Sequence, residues 1–186
     1  MALTVLTGGA RSGKSAAAVA AAAAASDAPV TFIATAEPGD EEMAERIARH
    51  QSRRPAHWTT LEVTHDLLRT VETVDPADTV IVDCMGLWVT NRMLEEPRPS
   101  DFDVAAEAAG LARELAARPG QSLLVTNEVG SGLVPPTPLG RDFRDLLGMV
   151  NQAVVRAADD AYLVVAGRLL PLVAPAAVLR LQGRGE

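Results

Sequence analysis

The stretch LTVLTGGARSGKS, residues 3–15, decides the fold prediction. Its apolar first part, LTVLT, predicts a strand, and four residues then separate Gly8 from the Gly13-Lys14-Ser15 triplet. This is the spacing of a P-loop, in which glycines let backbone N–H groups turn toward phosphate oxygens and the next helix adds its positive end. Average residue usage produces it by chance in about one chain in a hundred. We therefore predict that nucleotide phosphates bind Gly8, Gly9, Ala10, Arg11, Ser12, Gly13, Lys14 and Ser15.

Three of the polar side chains have predicted chemical roles. In P-loop proteins the lysine reaches the β- and γ-phosphates and the serine hydroxyl ligates Mg²⁺, so we predict Lys14 as a catalytic residue. The apolar run TVIVD ends in Asp83, where P-loop proteins carry a carboxylate that holds the magnesium shell. A turn or helix-capping aspartate is the other interpretation of Asp83. We predict Ser15 and Asp83 as the metal-binding residues.

Apolar runs rich in β-branched residues alternate with helical patterns along the whole chain. Most runs lack polar alternation, which is typical of strands buried on both faces. The predicted strands are 3–7, 30–34, 79–83, 122–126, 161–165 and 178–181, with HWTTLEV as a further candidate. The predicted helices are 14–25, 65–74 after Thr64 as N-cap, 103–117, and 139–158 with an apolar face from Leu139 to Val154. The alternation predicts an α/β fold, a three-layer P-loop NTPase domain with a largely parallel sheet.

Composition limits the class of protein. With 186 residues and 48% hydrophobic residues, the chain is expected to form one folded domain spanning 1–186. A net charge of -7 argues against a general nucleic-acid or membrane-surface binder. Cys84 is the single cysteine, so an internal disulfide is excluded and a reducing compartment is favoured. The N-terminus has no signal-peptide pattern, and the longest apolar run is too short to span a bilayer, so we expect a cytoplasmic protein without stable membrane insertion.

His50 is the most unusual residue outside the P-loop. The segment EEMAERIARHQSRRPAHW, residues 41–58, surrounds it with Arg46, Arg49, Arg53 and Arg54. Neighbouring cations disfavour a protonated imidazole, and a neutral imidazole is a nucleophile that can attack phosphorus. The arginines would neutralise the phosphates of an incoming nucleotide. Alternatively, His50 packs on one face of a helix over about residues 41–52, and the charges are solvated.

Four other polar residues have weaker interpretations. Asn127 and Glu128 follow the predicted strand 122–126, so they either contact an acceptor substrate and assist catalysis or merely cap a turn. We interpret His57 and His65 as structural residues.

The motifs taken together resemble one enzyme family. They are TGGARSGKS, FIATAE, DEEMAERIARHQSRRPAHWTTLE, VDCMGLWVTN, LLVTNEVGSGLVP and FRDLLGMVNQ, in this order. They are similar to the bifunctional adenosylcobinamide kinase and adenosylcobinamide-phosphate guanylyltransferase of cobalamin biosynthesis, from about residue 3 to Gly167. The resemblance implies a recombinase-like P-loop fold, a homotrimer, adenosylcobinamide as the corrinoid partner, and ATP and GTP as substrates with Mg²⁺.

The same resemblance implies two reactions and further site residues. A nucleoside triphosphate phosphorylates adenosylcobinamide, and GTP then transfers GMP to that phosphate through a guanylylated histidine, which the match of RIARH assigns to His50. The residues implied to line the guanine-nucleotide site are Ala34, Thr35, Ala36, Gln51, Ser52, Arg53, Arg54 and Glu62. Some members carry two adjacent histidines where this chain has Arg49-His50, and residues 168–186 are less typical, so no function is assigned to them.

Two other functions fit a P-loop. The first is a single-activity kinase for another small molecule, which would keep Lys14, Ser15 and Asp83 but form no covalent nucleotide adduct. The second is a nucleotide-hydrolysing regulatory or motor module, which would respond to a macromolecular partner and would have no use for His50.

Overall fold

Seven strands form one sheet in the computed structural model, which describes residues 2–25, 28–36, 51 and 54–179. They are β1 (Leu3–Thr7), β2 (Val30–Ala34), β3 (Thr59–Glu62), β4 (Thr79–Asp83), β5 (Ser122–Val125), β6 (Asp160–Val165) and β7 (Arg168–Pro171). The strand order is β3-β2-β4-β5-β1-β6-β7, and only the β6–β7 pair among these is antiparallel. The carboxyl ends of β1 to β6 therefore meet at one edge, where ligands bind in sheets of this kind.

Helices cover both faces of the sheet. They are α1 (Lys14–Ala25), α2 (Leu67–Thr73), α3 (Met85–Met93), α4 (Asp101–Ala117), α5 (Pro138–Ala157) and α6 (Pro175–Leu179). Helix α1 packs with Phe32 and Ile81 in one core, whereas α2 to α5 pack with Ile33 and Val82 in the other. Successive strand residues point to opposite faces, so these two cores lie on the two sides of a three-layer structure. No helix within the described ranges is long and apolar enough to cross a membrane.

Most of the predicted elements are confirmed. Strands β2 and β5 are buried along their whole length, as their lack of polar alternation indicates. Helix α5 buries Leu146, Leu147 and Val150 on one face. At its N-terminus the Thr137 hydroxyl accepts a hydrogen bond from the Gly140 N–H, a cap that stabilises a helix by about 1 kcal/mol. The predicted helix before Gln51 lies outside the described residues.

Two local predictions are wrong, and one residue of a predicted apolar helix face is exposed. Val178 lies in helix α6 instead of a strand, because Pro175 and the two alanines after it favour a helical start. Thr64 does not cap α2, which begins at Leu67. The Thr64 hydroxyl instead lies 2.7 Å from Nδ1 of the His65 ring. His65, predicted as the first residue of the helix, also precedes it. Leu139 belongs to the apolar pattern of α5 but is 56% exposed, because the first turn of α5 extends beyond the core.

Two elements were not predicted. Helix α3 begins two residues after Asp83 and buries Met85 and Trp88, although its sequence includes Gly86 and β-branched residues. Strand β7 pairs with β6 as an antiparallel edge strand. Its residues are exposed, so its sequence lacks the pattern of a buried strand.

Candidate nucleotide site

The P-loop connects β1 to α1 and requires glycine at two positions. Gly8 has φ +152° and Gly13 has φ +102°, backbone conformations that residues with a Cβ rarely adopt. A Cβ at Gly8 would lie 2.4 Å from the carbonyl oxygen of Val164. A Cβ at Gly13 would lie 3.2 Å from Cα of Gly167. The glycines of the motif therefore allow the loop to pack directly against the backbone of β6 and the turn after it.

Two neighbouring segments hydrogen-bond to the backbone of the P-loop. The Gly167 N–H, from the turn between β6 and β7, donates to the Ser12 carbonyl at 2.8 Å. The Glu128 N–H, just beyond β5, donates to the Gly8 carbonyl at 3.0 Å. Sequence reasoning missed the contact with Gly167, because no local pattern shows that a turn near residue 167 meets a loop near residue 12.

Lys14 is held inside the loop. Its side chain is 7% exposed, and Nζ donates hydrogen bonds to the carbonyl oxygens of Gly8 at 2.7 Å and Gly9 at 2.8 Å. Gly9, Ala10 and Arg11 form the exposed tip of the loop. The ammonium group is thus enclosed by the same backbone turn whose N–H groups are predicted to bind phosphate.

A cavity of about 230 Å³ begins at the first turn of α1 and continues along that helix. Its polar lining is Ser15, Asp83 and Arg54. Its apolar lining is Ala16, Val19, Ala20, Ala23 and Phe32. A hydroxyl and a carboxylate are oxygen donors of the kind that Mg²⁺ prefers. Ser15 and Asp83, the two predicted metal-binding residues, therefore line the same cavity. Arg54, four residues after His50 in the sequence, lines it too.

Three predicted residues are aligned at the carboxyl edge of the sheet. In register, Ala34 of β2 lies between Glu62 of β3 and Asp83 of β4. Ala34 is 8% exposed, and Ala36 is half-buried two residues further on. The small side chain of Ala34 thus separates the carboxylates of Glu62 and Asp83. Just after β2, the Thr35 N–H donates a hydrogen bond to the Asp83 backbone carbonyl at 3.2 Å.

Arg54 interacts both with the carboxylates of Asp83 and Glu62 and with the apolar wall of the cavity. Its guanidinium carbon lies 3.6 Å from the centroid of the Phe32 ring, and Nη1 donates to the Thr60 hydroxyl at 3.4 Å. Burial lowers the pKa of Arg54, while the carboxylates of Asp83 and Glu62 act in the opposite direction. Arginine nevertheless remains charged at any physiological pH, so a cation faces the cavity.

Gln51 and Glu62 interact with each other. Nε2 of Gln51 donates a hydrogen bond to Oε1 of Glu62 at 3.1 Å, and both side chains are exposed. The contact brings the residue that follows His50 in the sequence to the end of β3. His50, Ser52 and Arg53 lie outside the described residues, as do Arg46 and Arg49.

Thr35 has a structural function that the sequence did not reveal. Its hydroxyl donates to the Cys84 carbonyl at 2.8 Å and accepts from the Cys84 N–H at 2.9 Å. The Asn91 amide of α3 donates to the carbonyls of Thr35 at 3.1 Å and Thr64 at 3.2 Å. Thr35 is fully buried, so its side chain fixes the backbone directly after Asp83 instead of facing the cavity.

Cys84 is a poor nucleophile in this position. Burial first, and then the adjacent Asp83 carboxylate, raises the pKa of its thiol to about 11. The thiol is therefore protonated at neutral pH, and a thiolate is the reactive form of cysteine.

The weaker candidates outside the cavity make local contacts. The Asn127 carbonyl accepts from the Asn151 amide at 2.9 Å, and Oε1 of Glu128 accepts from the N–H groups of Gly130 at 2.6 Å and Ser131 at 3.0 Å. The Glu128 contacts are those of a turn-forming residue, whereas the Asn127 carbonyl is bound by a side chain of α5. His57 is exposed, whereas Nε2 of His65 lies 3.2 Å from the Glu95 carboxylate.

The fold and the strand–loop–helix geometry define a P-loop α/β nucleotide-binding protein, and solved structures agree. The ATPase EscN of the type III secretion system of enteropathogenic E. coli is similar, with a TM-score of 0.56, 11% identity and coverage of 89% of this chain and 43% of that chain. A prototypical type III secretion ATPase from pathogenic bacteria has a TM-score of 0.51, 11% identity and coverage of 98% and 55%. At these identities the likeness concerns the fold alone, and it confirms the predicted fold class.

Sequence comparison defines the family. The model of the cobinamide kinase / cobinamide phosphate guanyltransferase family, CobU, matches residues 4–172. The bifunctional adenosylcobalamin biosynthesis protein CobU of Salmonella typhimurium LT2 is 42% identical over 89% of this chain and 96% of its own length. CobP of Pseudomonas aeruginosa PAO1, with the same description, is 41% identical over 90% and 95%. CobU of Escherichia coli K12 is 38% identical over 89% and 96%.

The chain therefore belongs to the cobinamide kinase / cobinamide phosphate guanyltransferase family. It is an enzyme of cobalamin biosynthesis, with a kinase and a guanyltransferase activity, as the resemblance implied. The roles of the individual site residues stay predictions.

Proposed function

We propose that one cavity at the carboxyl edge of the sheet serves both reactions. A nucleoside triphosphate, ATP or GTP, first phosphorylates the hydroxyl of adenosylcobinamide. GTP then gives GMP to the resulting phosphate through His50, which yields adenosylcobinamide-GDP and pyrophosphate. The observation that supports a shared cavity is that Ser15 and Asp83 line it together with Arg54. On this proposal residues 1–186 are a single nucleotide-binding and transferase domain.

The P-loop holds the triphosphate in the proposed kinase step. Backbone N–H groups from Gly8 to Ser15 point at the phosphate oxygens, and Lys14 exchanges its contacts with the Gly8 and Gly9 carbonyls for contacts with the β- and γ-phosphates. Ser15 and Asp83 would hold Mg²⁺, which neutralises charge on the phosphates. A hydroxyl and a single carboxylate suffice as protein ligands, because Mg²⁺ retains waters and binds substrate phosphates.

The other part of the cavity holds the guanine nucleotide in the proposed second step. Arg54, positioned by its stack on Phe32, faces the phosphates, and the Glu62 carboxylate is a suitable acceptor for guanine or ribose donors. The further residues assigned to this site are Ala34, Thr35, Ala36, Gln51, Ser52 and Arg53. Thr35 contributes through the backbone it fixes, because its side chain is buried.

His50 is the proposed nucleophile. A ring nitrogen attacks the α-phosphorus of GTP, a P–N bond forms, and the bond to pyrophosphate breaks. A phosphate oxygen of adenosylcobinamide phosphate then attacks the same phosphorus, the P–N bond breaks, and the imidazole returns to its starting state. The protonated thiol of Cys84 does not compete for this role.

Product analysis of a His50→Ala variant tests the proposal. Enzyme, ATP, GTP, Mg²⁺ and adenosylcobinamide are mixed, and products are separated by liquid chromatography and identified by mass. His50→Ala is expected to accumulate adenosylcobinamide phosphate, with the GDP product reduced more than about 100-fold. His57→Ala, a change at an exposed histidine of the same segment, should retain both steps. Normal formation of the GDP product by His50→Ala would overturn the covalent route.

We further propose that the protein works as a homotrimer in the cytoplasm, with no nucleic-acid partner. The support for self-association is the apolar edge at β7, where Leu169, Leu170, Leu172 and Val173 are between 43% and 64% exposed. An open edge strand with apolar side chains favours association with another chain. Light scattering should give three times the chain mass for wild type and a smaller mass for Leu170→Asp. A monomeric wild type would contradict the trimer.

A further inference from the structure

The loop between β5 and α5, residues 126–137, begins in contact with the P-loop and carries exposed apolar side chains. Leu133 is 96% exposed and Val134 is 66% exposed. Leu139, in the first turn of α5, adds a third apolar side chain with 56% exposure. Adjacent, largely exposed aliphatic residues near a ligand site often mark a surface that a ligand or partner covers.

Hydrogen bonds hold this loop at both ends. At its start, the Glu128 N–H donates to the Gly8 carbonyl at 3.0 Å, and the Glu128 carboxylate accepts from the Gly130 and Ser131 N–H groups. At its end, Nη1 of Arg141 donates to the carbonyls of Pro135 at 3.1 Å and Pro136 at 3.0 Å. The exposed leucine and valine therefore project from an anchored turn whose first residues contact the P-loop.

The position of the loop relative to the nucleotide cavity limits what it can bind. The cavity lies along α1 and reaches Phe32 of β2 and Asp83 of β4. The loop follows β5, which lies between β4 and β1 in the sheet, and it touches the P-loop at Gly8. The loop therefore begins between Asp83 of the cavity and the P-loop, beside the proposed phosphate site. In-line phosphoryl transfer requires the acceptor hydroxyl to approach the terminal phosphate from a direction that the donor nucleotide leaves open.

We propose that the β5–α5 loop is the docking surface for the corrinoid acceptor, a proposal that rests on the proposed function. A corrin ring is a broad macrocycle whose rim carries methyl groups and amide arms. Its methyl-bearing rim packs on Leu133 and Val134, and the side arm with the hydroxyl then extends past Glu128 to the P-loop. Burial of the two aliphatic side chains supplies affinity, and the backbone anchor at Gly8 sets the distance to the phosphate.

Steady-state kinetics of Leu133→Asp and the milder Val134→Ser test this surface. Leu133→Asp should raise KM for adenosylcobinamide about tenfold or more in the kinase reaction, while KM for ATP changes less than about twofold. Val134→Ser should change KM for adenosylcobinamide in the same direction by a smaller factor. Phe102→Asp, at a 77% exposed apolar residue of α4, is the matched control and should leave both constants unchanged.

The outcomes separate this proposal from the others. An unchanged KM for adenosylcobinamide in Leu133→Asp overturns it, and a simultaneous loss of oligomeric mass in light scattering would assign the loop to contacts between copies of the chain. Transfer of label from GTP to the protein, measured without corrinoid, should be normal in Leu133→Asp. Failure of that labelling in wild type would contradict only the proposed role of His50. The docking proposal would still stand, because the kinase assay does not depend on His50.

Discussion

The two ends of the nucleotide cavity are built in different ways. At the phosphate end, the contacts are made to backbone atoms: Gly8 faces the Val164 carbonyl, Gly167 donates to the Ser12 carbonyl, and the Lys14 ammonium donates to the carbonyls of Gly8 and Gly9. At the other end, the contacts join side chains: Arg54 stacks on Phe32, and exposed Gln51 donates to Glu62. At Gly8 the backbone end leaves no room for an added atom, although Gly9 at its exposed tip does, whereas the side-chain end can lose one group at a time.

This difference fits the two proposed reactions. Both use a triphosphate, so the phosphate end serves both and tolerates little change. Only the guanylyl transfer requires a particular base, so the side-chain end is where selectivity for GTP is expected. Substitutions at the packed positions of the phosphate end should therefore damage both reactions, and those at the side-chain end should act mainly on the second.

Gly8→Ala should have the largest effect. The new Cβ would lie 2.4 Å from the Val164 carbonyl, and the backbone has φ +152°, so the P-loop cannot keep its shape. Both activities should fall more than about 100-fold, and Tm should also fall. Gly9→Ala is the matched control, because a Cβ there has nothing within 4 Å, and activity should change little. If Gly8→Ala and Gly9→Ala had equal effects, the steric clash at Gly8 would not explain the loss of activity.

Lys14→Met should have the next largest effect. The change keeps much of the buried volume but removes the ammonium group that Gly8 and Gly9 hold. We expect the kinase kcat to fall about 100- to 1000-fold, the cost of removing a group that stabilises transition-state charge. Calorimetric titration with ATP should show a smaller loss of affinity. A variant with normal kcat would show that Lys14 has only a structural role.

Arg54→Ala should have a moderate and selective effect. It removes the cation over Phe32 and enlarges the cavity, so KM for GTP in guanylyl transfer should rise about tenfold. KM for ATP in the kinase step should change less. Arg69→Ala, at an exposed arginine of α2, is the control for loss of one positive charge. An equal rise for ATP and GTP would mean that Arg54 acts on the phosphates of both nucleotides alike, and the expected selectivity would be absent.

Gln51→Ala should have the smallest effect. Its hydrogen bond to Glu62 joins two exposed side chains, and such bonds contribute little to stability. Tm should be unchanged, and KM for GTP should rise less than about threefold. A tenfold rise in KM for GTP would show that this contact positions the nucleotide. The side-chain end would then be as sensitive to substitution as the phosphate end.

Local sequence patterns were sufficient for the parts of the molecule that depend on local geometry. The P-loop, α1 and the buried strands follow from glycine spacing, alanine content and apolar runs, and the structure confirms them. The contacts of Gly167 with Ser12 and of Thr35 with Cys84 were missed, because they join residues far apart in the chain. Strand β7 was missed since an exposed edge strand carries no burial pattern.

The most direct test of the central claim is the transfer of GMP from GTP to His50. Enzyme is incubated with Mg²⁺ and GTP labelled at the α-phosphate, denatured, and counted for protein-bound label, with His50→Ala and His57→Ala beside wild type. The account predicts acid-labile, base-stable label on wild type and His57→Ala, and none on His50→Ala. Label that persists on His50→Ala, or no label on folded wild type that binds GTP, would contradict it.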